Sequence, residues 1–166
     1  RVNFFGCSFV YGEGLNDDQT LPYFYSQLAS DVHVMNYGFH GRGAHQALAI
    51  MQSGRDTKGE VNFFLAVPFH AERSACRPVW TNHSPRYELQ PDGSVKRNGS
   101  CGDSGDLPWY LLTRAAAYSN ILASAENSIR GRKTDADFDL YVALIRSMAT
   151  LSHERGQRFV VGFMKS

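Results

Sequence analysis

Val61-Asn62-Phe63-Phe64-Leu65-Ala66-Val67 is the stretch that decides the fold. So short and so nearly continuous an apolar run reads as a strand covered on both faces, the habit of parallel sheets held between helices. Working outward, Val2-Asn3-Phe4-Phe5 is a second apolar run, ended by Gly6, and Val32-His33-Val34-Met35-Asn36 is a third. Between the first two strands Thr20 is a helix N-cap, with Pro22 in the first turn and the helix running to about Ala29. Between the next two, Ala44, Ala47, Leu48 and Met51 recur at helical spacing, and Gly54 stops the helix. The order βαβαβ predicts a parallel sheet with helices on both sides.

Beyond Val67 the pattern breaks. Residues 71–105 form a polar insert in which Arg86–Leu89 and Ser94–Arg97 flank the turn Gln90-Pro91-Asp92-Gly93, so a small hairpin is expected. Asp106 caps a predicted helix with Leu111, Ala115, Tyr118 and Leu122 on one face. A further helix places Phe138, Val142, Ile145, Ala149 and Ser152 together and ends at Gly156. Phe159–Met164 is the last strand. The expectation is one domain over residues 1–166. It starts at Arg1 rather than Met, shows no signal peptide, and reads as the trimmed portion of something longer whose C-terminal end is incomplete.

The 166 residues are 43% hydrophobic and 13% aromatic, which describes a globular core and excludes a disordered chain. Seventeen basic and sixteen acidic side chains leave +1, so no net field recruits nucleic acid. No apolar run approaches the ~20 residues of a membrane span. The histidines and the three cysteines show no HExxH, CxxC or zinc-ribbon spacing, so neither metal nor cofactor is expected. Cys76 and Cys101 bracket the insert and could close a disulfide in an oxidising compartment or remain thiols in a reducing one; the compartment stays open. The basic run Arg130–Lys133 reads as a solvated helix end. Trp80, Tyr87 and Trp109 are either packing residues or the lining of a sugar or acyl pocket.

In an open parallel sheet ligands bind beyond the carboxyl ends of the strands. Three loops fall there: Gly6–Gly14, Asn36–Gly43 and Pro68–Arg73. The first offers Ser8 directly after a strand, where a hydroxyl can stand at the sheet edge as a nucleophile or simply sit in a tight turn. Gly6-Cys7-Ser8-Phe9-Val10 lacks the second glycine of GxSxG, and Gly12-Glu13-Gly14 lacks the third of GxGxxG, so neither an α/β-hydrolase elbow nor a dinucleotide loop is present. The second loop is glycine-rich at a helix start, where backbone N–H groups can point at developing negative charge. The third sets His70 and Arg73 past the central strand.

Gly6-Cys7-Ser8-Phe9 with Gly12-Glu13-Gly14-Leu15, followed by Asn36-Tyr37-Gly38-Phe39-His40-Gly41, resembles the SGNH (GDSL-like) hydrolase superfamily. The resemblance implies a flavodoxin-like three-layer α/β/α fold. It also implies Ser8 as nucleophile and first oxyanion donor, and Gly41 as second donor through its N–H. His70 stands near the asparagine that supplies the third donor in that family. Cys7 replaces the aspartate of the GDS block. The family's base is a histidine three residues after an aspartate. The residues three before the six histidines here are Ser30, Tyr37, Arg42, Val67, Trp80 and Thr150. The expectation is therefore that an Asp-x-x-His beyond Ser166 supplies the base.

Together these residues and the resemblance imply a serine esterase or acyl hydrolase working through an acyl-enzyme on Ser8, its substrate a small-molecule or carbohydrate ester such as an O-acetylated sugar. An acyltransferase would use the same intermediate. The alternatives are an inactive flavodoxin-like module that binds a sugar or nucleotide, and an interaction protein that uses the insert. Oligomeric state is not readable from the sequence.

Overall fold

The computed structural model describes residues 1–54, 58–103, 118–119, 121, 124 and 134–165. Four parallel strands form one sheet in the order β2-β1-β3-β6: β1 (Val2–Phe5), β2 (Val34–Asn36), β3 (Val61–Ala66) and β6 (Arg158–Phe163). Val2 lies in register with both Val34 and Val61, and Phe64 with Val161. The chain leaves β1 toward β2 on one side and returns to β3 on the other. The strand order therefore reverses between β1 and β3, where an open α/β sheet binds its ligands.

Helices lie on both sides of the sheet, as the sequence predicts. On one side α3 (Ala44–Gln52) and α5 (Asp135–Glu154) pack Leu48, Met51, Leu144 and Met148 onto Phe5, Phe64 and Ala66. The other side holds Val2, Phe4 and Val10 with Val34, Phe63 and Leu65. There Tyr25 of α2 (Leu21–Leu28) meets the Phe4 ring edge-on at 5.4 Å. The two covers differ in depth. Asn62, Phe64 and Ala66 of β3 are buried, whereas Val61, Phe63 and Leu65 remain partly exposed, so the central strand is closed on one face only among the described residues.

Local chemistry sets the ends of these elements. Thr20 Oγ1 accepts from Tyr23 N–H at 3.3 Å and starts α2, with Pro22 in its first turn. Thr134 caps α5 and exchanges hydrogen bonds with Asp137. Gly156 N–H donates to His153 O where α5 ends. The expected face of α5 is corrected by one residue. Asp137, Tyr141, Leu144, Met148 and Ser152 point inward, while Phe138 and Val142 are exposed. Of the expected set, only Ser152 is fully inside, with Ile145 packed at the margin. The polar inward residues have specific partners: Asp137 takes Arg77 at 3.0 Å, and Ser152 takes the buried amide of Asn62 at 3.0 Å. The apolar Phe138 and Val142 draw the expected stripe one position away from the polar Asp137 and the Tyr141 that face inward.

The insert forms the expected hairpin, β4 (Pro85–Leu89) and β5 (Val95–Ser100), with Leu89 opposite Val95. Cys76 and Cys101 are disulfide-bonded, their Cα atoms 5.3 Å apart, and this fastens the hairpin to the end of α4 (His70–Ser74). Tyr87 is buried in the main core, and its hydroxyl donates to Gln52 Oε1. The helix expected from Asp106, with Trp109, and the basic run Arg130–Lys133 lie outside the described residues.

Candidate active site

Ser8 opens the four-residue helix α1 (Ser8–Tyr11) directly beyond β1. Cys7 precedes it in extended conformation and is fully buried. Its carbonyl accepts from Val10 and Tyr11 at 3.1 and 3.0 Å, which closes the turn around Ser8. The N–H groups at the first two positions of a helix have no intrahelical acceptor, so those of Ser8 and Phe9 are the donors such a turn offers outward.

The glycine-rich loop after β2 is stitched to this turn. Phe39 N–H donates to Gly6 O at 3.3 Å, and Asn36 Nδ2 donates to Val10 O at 3.0 Å. Asn36 Oδ1 in turn accepts from Gly38 N–H at 2.9 Å. Gly38 is required by proximity: a Cβ there would lie 2.5 Å from Tyr11 N. Gly41 is required by conformation, with φ +64°, and a Cβ would also press on the Trp80 indole nitrogen at 3.3 Å. The loops that carry Ser8 and Gly41 thus share one edge of the sheet. Phe9, Tyr11, Phe39 and Trp80 surround them as exposed aromatic rings.

Arg73 fixes the far end of the Gly41 loop. Its NH1 donates to Arg42 O at 3.2 Å, and its guanidinium lies 4.3 Å over the Phe69 ring. Gln46 Oε1 accepts from Gly43 N–H at 3.0 Å, while its amide nitrogen donates to Ser84 Oγ at 2.9 Å. Phe69 also approaches Phe9 at 6.1 Å, joining the third loop to the residue after Ser8.

His70 begins α4, fully buried among Phe64, Phe69 and Tyr141. Neither ring nitrogen has a hydrogen-bond partner. Burial, with the positive charge of Arg73 and the neighbouring His45, pushes its imidazole down to about 3. His45, on the first turn of α3, is equally buried and is also held at about 3 by burial and Arg73. Both rings are therefore neutral at physiological pH. His45, Ser74 and Tyr141 are site neighbours that the sequence reading missed. Only His45 carried a signal, three residues before Leu48 on the buried face of α3.

Among the described residues no three His, Cys, Asp or Glu side chains are grouped to hold a metal, and no helix is long and apolar enough to cross a membrane.

No protein-family model matches the chain, and no curated protein matches it. Solved structures are similar to it. A lipolytic protein of the G-D-S-L family from Veillonella parvula DSM 2008 aligns over 95% of this chain and 75% of its own, at 9% identity and a TM-score of 0.36. A putative lipolytic protein of the same family from Desulfitobacterium hafniense DCB-2 aligns over 96% and 75%, at 12% identity and 0.38. The SGNH-hydrolase family esterase AlinE4 aligns over 96% and 74%, at 13% identity and 0.35. At these values the likeness is one of chain path, and any chemistry has to come from the residues.

Proposed function

We propose that the chain is an SGNH-type serine esterase or acyl hydrolase. Ser8 Oγ attacks the ester carbonyl, the alcohol leaves, and water releases the acid from the acyl-enzyme. The oxyanion is held by the N–H groups of Ser8 and Gly41, with His70 as the third donor. A neutral imidazole carries one N–H for that purpose. O-Acetylated carbohydrate is the favoured ester, with the exposed Trp80 beside Gly41 as a surface for a sugar ring.

The observation that supports this most is the joining of the Ser8 turn to the Gly41 loop through Phe39 N–H and Gly6 O, next to the reversal in strand order. Oxyanion stabilisation depends on donors fixed before the charge develops. A group with a pKa of about 3 is a poor proton acceptor at pH 7, so neither His45 nor His70 is assigned as the base. The proposed base is an Asp-x-x-His, which none of the six histidines forms.

The test is fluorophosphonate labelling alongside hydrolysis of an aryl acetate. Ser8→Ala is expected to abolish labelling and to lower hydrolysis by about three orders of magnitude or more. Full retention of hydrolysis removes Ser8 from the mechanism. Because both buried histidines are poor proton acceptors at pH 7, a second reading is a module that binds a sugar or nucleotide without turning it over. A wild-type chain that binds such a ligand and resists labelling supports that one.

A further inference from the structure

Beyond the edge strand β2, against the loop that carries Gly41, lies a cavity of about 490 Å³, a volume suited to a small ligand. Tyr11, Asp17, Tyr37, Gly38, Phe39 and Arg42 are among its lining residues. Ser8, Gly41, His70 and Trp80 are not, so the cavity is separate from the oxyanion site and from the Trp80 surface. Its aromatic part is fixed from several sides. Tyr11 meets Phe39 edge-on at 5.7 Å and lies 4.7 Å from the His40 ring, whose Nδ1 is 3.2 Å from Glu13 Oε1. Phe39 is anchored in turn by the bond from its N–H to Gly6 O. Both rings nevertheless remain exposed, so they are held in place with surface to spare.

The polar groups of the cavity are of opposite sign and are not paired with each other. Asp17 is exposed, and only its main-chain carbonyl is engaged, accepting from Thr20 Oγ1 at 3.1 Å. Arg42 NH1 donates to Tyr37 O at 3.0 Å, and its guanidinium lies 4.9 Å over the Phe39 ring. Further N–H donors of that guanidinium stay unused among the described residues. Burial lowers the Arg42 pKa, so those donors stand partly out of water. The ion pairs among the described residues are His40 with Glu13, Arg77 with Asp137 and Arg86 with Glu88. One carboxylate and one guanidinium cancel in charge, so the cavity selects neither an anion nor a cation. A neutral polyol uses both groups, because each hydroxyl donates to a carboxylate and accepts from an N–H. The C–H face of a pyranose ring is apolar and packs on exposed aromatic rings such as these.

We propose that this cavity binds a neutral sugar unit, with its ring against Tyr11 and Phe39 and its hydroxyls shared between Asp17 and Arg42. The inference rests on the carbohydrate-ester reading for its link to catalysis and adds a second sugar subsite to it. The binding itself needs no Ser8, because Ser8 is not part of the cavity.

The test follows the backbone amide signals of the intact chain by ¹H–¹⁵N NMR at pH 7 while cellobiose, maltose or chitobiose is added. Glycine and sodium acetate are titrated in parallel as a zwitterion and an anion. The expected result is saturable movement of the Gly38, Phe39 and Arg42 signals with at least one of the sugars and none with glycine or acetate. Asp17→Ala is expected to weaken that binding about tenfold, the scale of one charge-assisted hydrogen bond. Tyr11→Ala is expected to weaken it as well, through loss of the ring surface. Ser8→Ala is expected to bind the sugar like the unaltered chain. Sugar binding without aryl acetate hydrolysis keeps this proposal and removes the esterase reading, and hydrolysis without sugar binding does the reverse. The proposal is overturned if no sugar gives a saturable shift of these signals, or if glycine or acetate shifts them as strongly. An unchanged affinity in Asp17→Ala overturns it too, and that variant keeps the result decisive should Tyr11→Ala not fold.

Discussion

Acidification should unfold this protein through two side chains, and the size of the effect comes from their burial. His45 and His70 are both pushed from about 6.5 to about 3 in the folded state. In the unfolded chain each regains its ordinary value and binds a proton near pH 6.5. The folded state binds fewer protons, so stability is full above pH 6.5 and is lost progressively as pH falls from 6.5 toward 3. At pH 5, one and a half units below the unfolded value, each histidine withdraws about 2 kcal/mol, and the pair about 4 kcal/mol. A domain of this size has about 5–15 kcal/mol in total. Most of the margin of a protein at the low end is gone by pH 5.

The assay is urea unfolding monitored by circular dichroism at half-unit steps from pH 8 to pH 4.5. The midpoint is expected to hold steady down to about pH 6.5 and then fall. His45→Gln should roughly halve the decline, because one of two titrating groups has been removed. Ring-proton NMR of the folded protein should show neither imidazole charging before unfolding intervenes. A midpoint that is flat between pH 8 and pH 5 refutes the reasoning, as does either ring titrating near 6.5 in the folded state.

Three other contacts give expected outcomes of their own. Gly41→Ala forces a side chain into the left-handed region against the Trp80 indole, so it should cost about 1–2 kcal/mol in urea unfolding. It should also slow fluorophosphonate labelling of Ser8 by more than that loss accounts for. Reducing Cys76–Cys101 reopens a 25-residue separation, a loss of about 3.5 kcal/mol in the chain-entropy picture, which differential scanning calorimetry with and without dithiothreitol reads as a lower Tm. Arg77→Leu strips the buried Asp137 of its partner and should destabilise by about 3 kcal/mol, the low end for a broken buried pair, because Asp137 keeps its bond to Thr134 N–H; combining it with Asp137→Asn should recover part of that loss in the same assay.

The parts of the fold that were legible are those set by short-range chemistry. Thr20 and Pro22 start a helix through one hydroxyl and one fixed φ, and the hairpin comes from Pro91-Asp92-Gly93, where Asp92 Oδ1 accepts from Ser94 N–H at 2.9 Å. Ala44, Ala47, Leu48 and Met51 are buried, as their spacing predicts. The face of α5 is hidden from such a reading because Phe138 and Val142 offer an apolar stripe beside the inward one, whose first position is the polar Asp137 with its partner Arg77 60 residues away. The site divides the same way. Ser8 and Gly41 stand out from the loop chemistry around them, whereas the Arg73 hydrogen bond to Arg42 O spans 31 residues and joins segments that follow β2 and β3, strands that are not neighbours in the sheet. No local spacing encodes that contact.

Two buried polar clusters flank β3 and are partnered in different ways. Near the start of β3, Asn3 donates to Asn62 at 2.9 Å, Asn62 donates to Ser152 and Gln157 at 3.0 and 2.9 Å, and Gln157 donates to Gly59 O at 2.8 Å. That chain of amides ties β1 to β3 and β3 to the end of α5. Past the other end of the same strand, His45, His70, Arg73 and Ser74 bury polar atoms, donors and acceptors both, that have no hydrogen-bond partner. Each unmatched group costs about 1–3 kcal/mol, and an apolar side chain in its place would cost the fold less. Hydrogen bonding alone holds the first cluster, whereas the second is held by packing and by Arg73, whose hydrogen bond to Arg42 O ties α4 to the Gly41 loop.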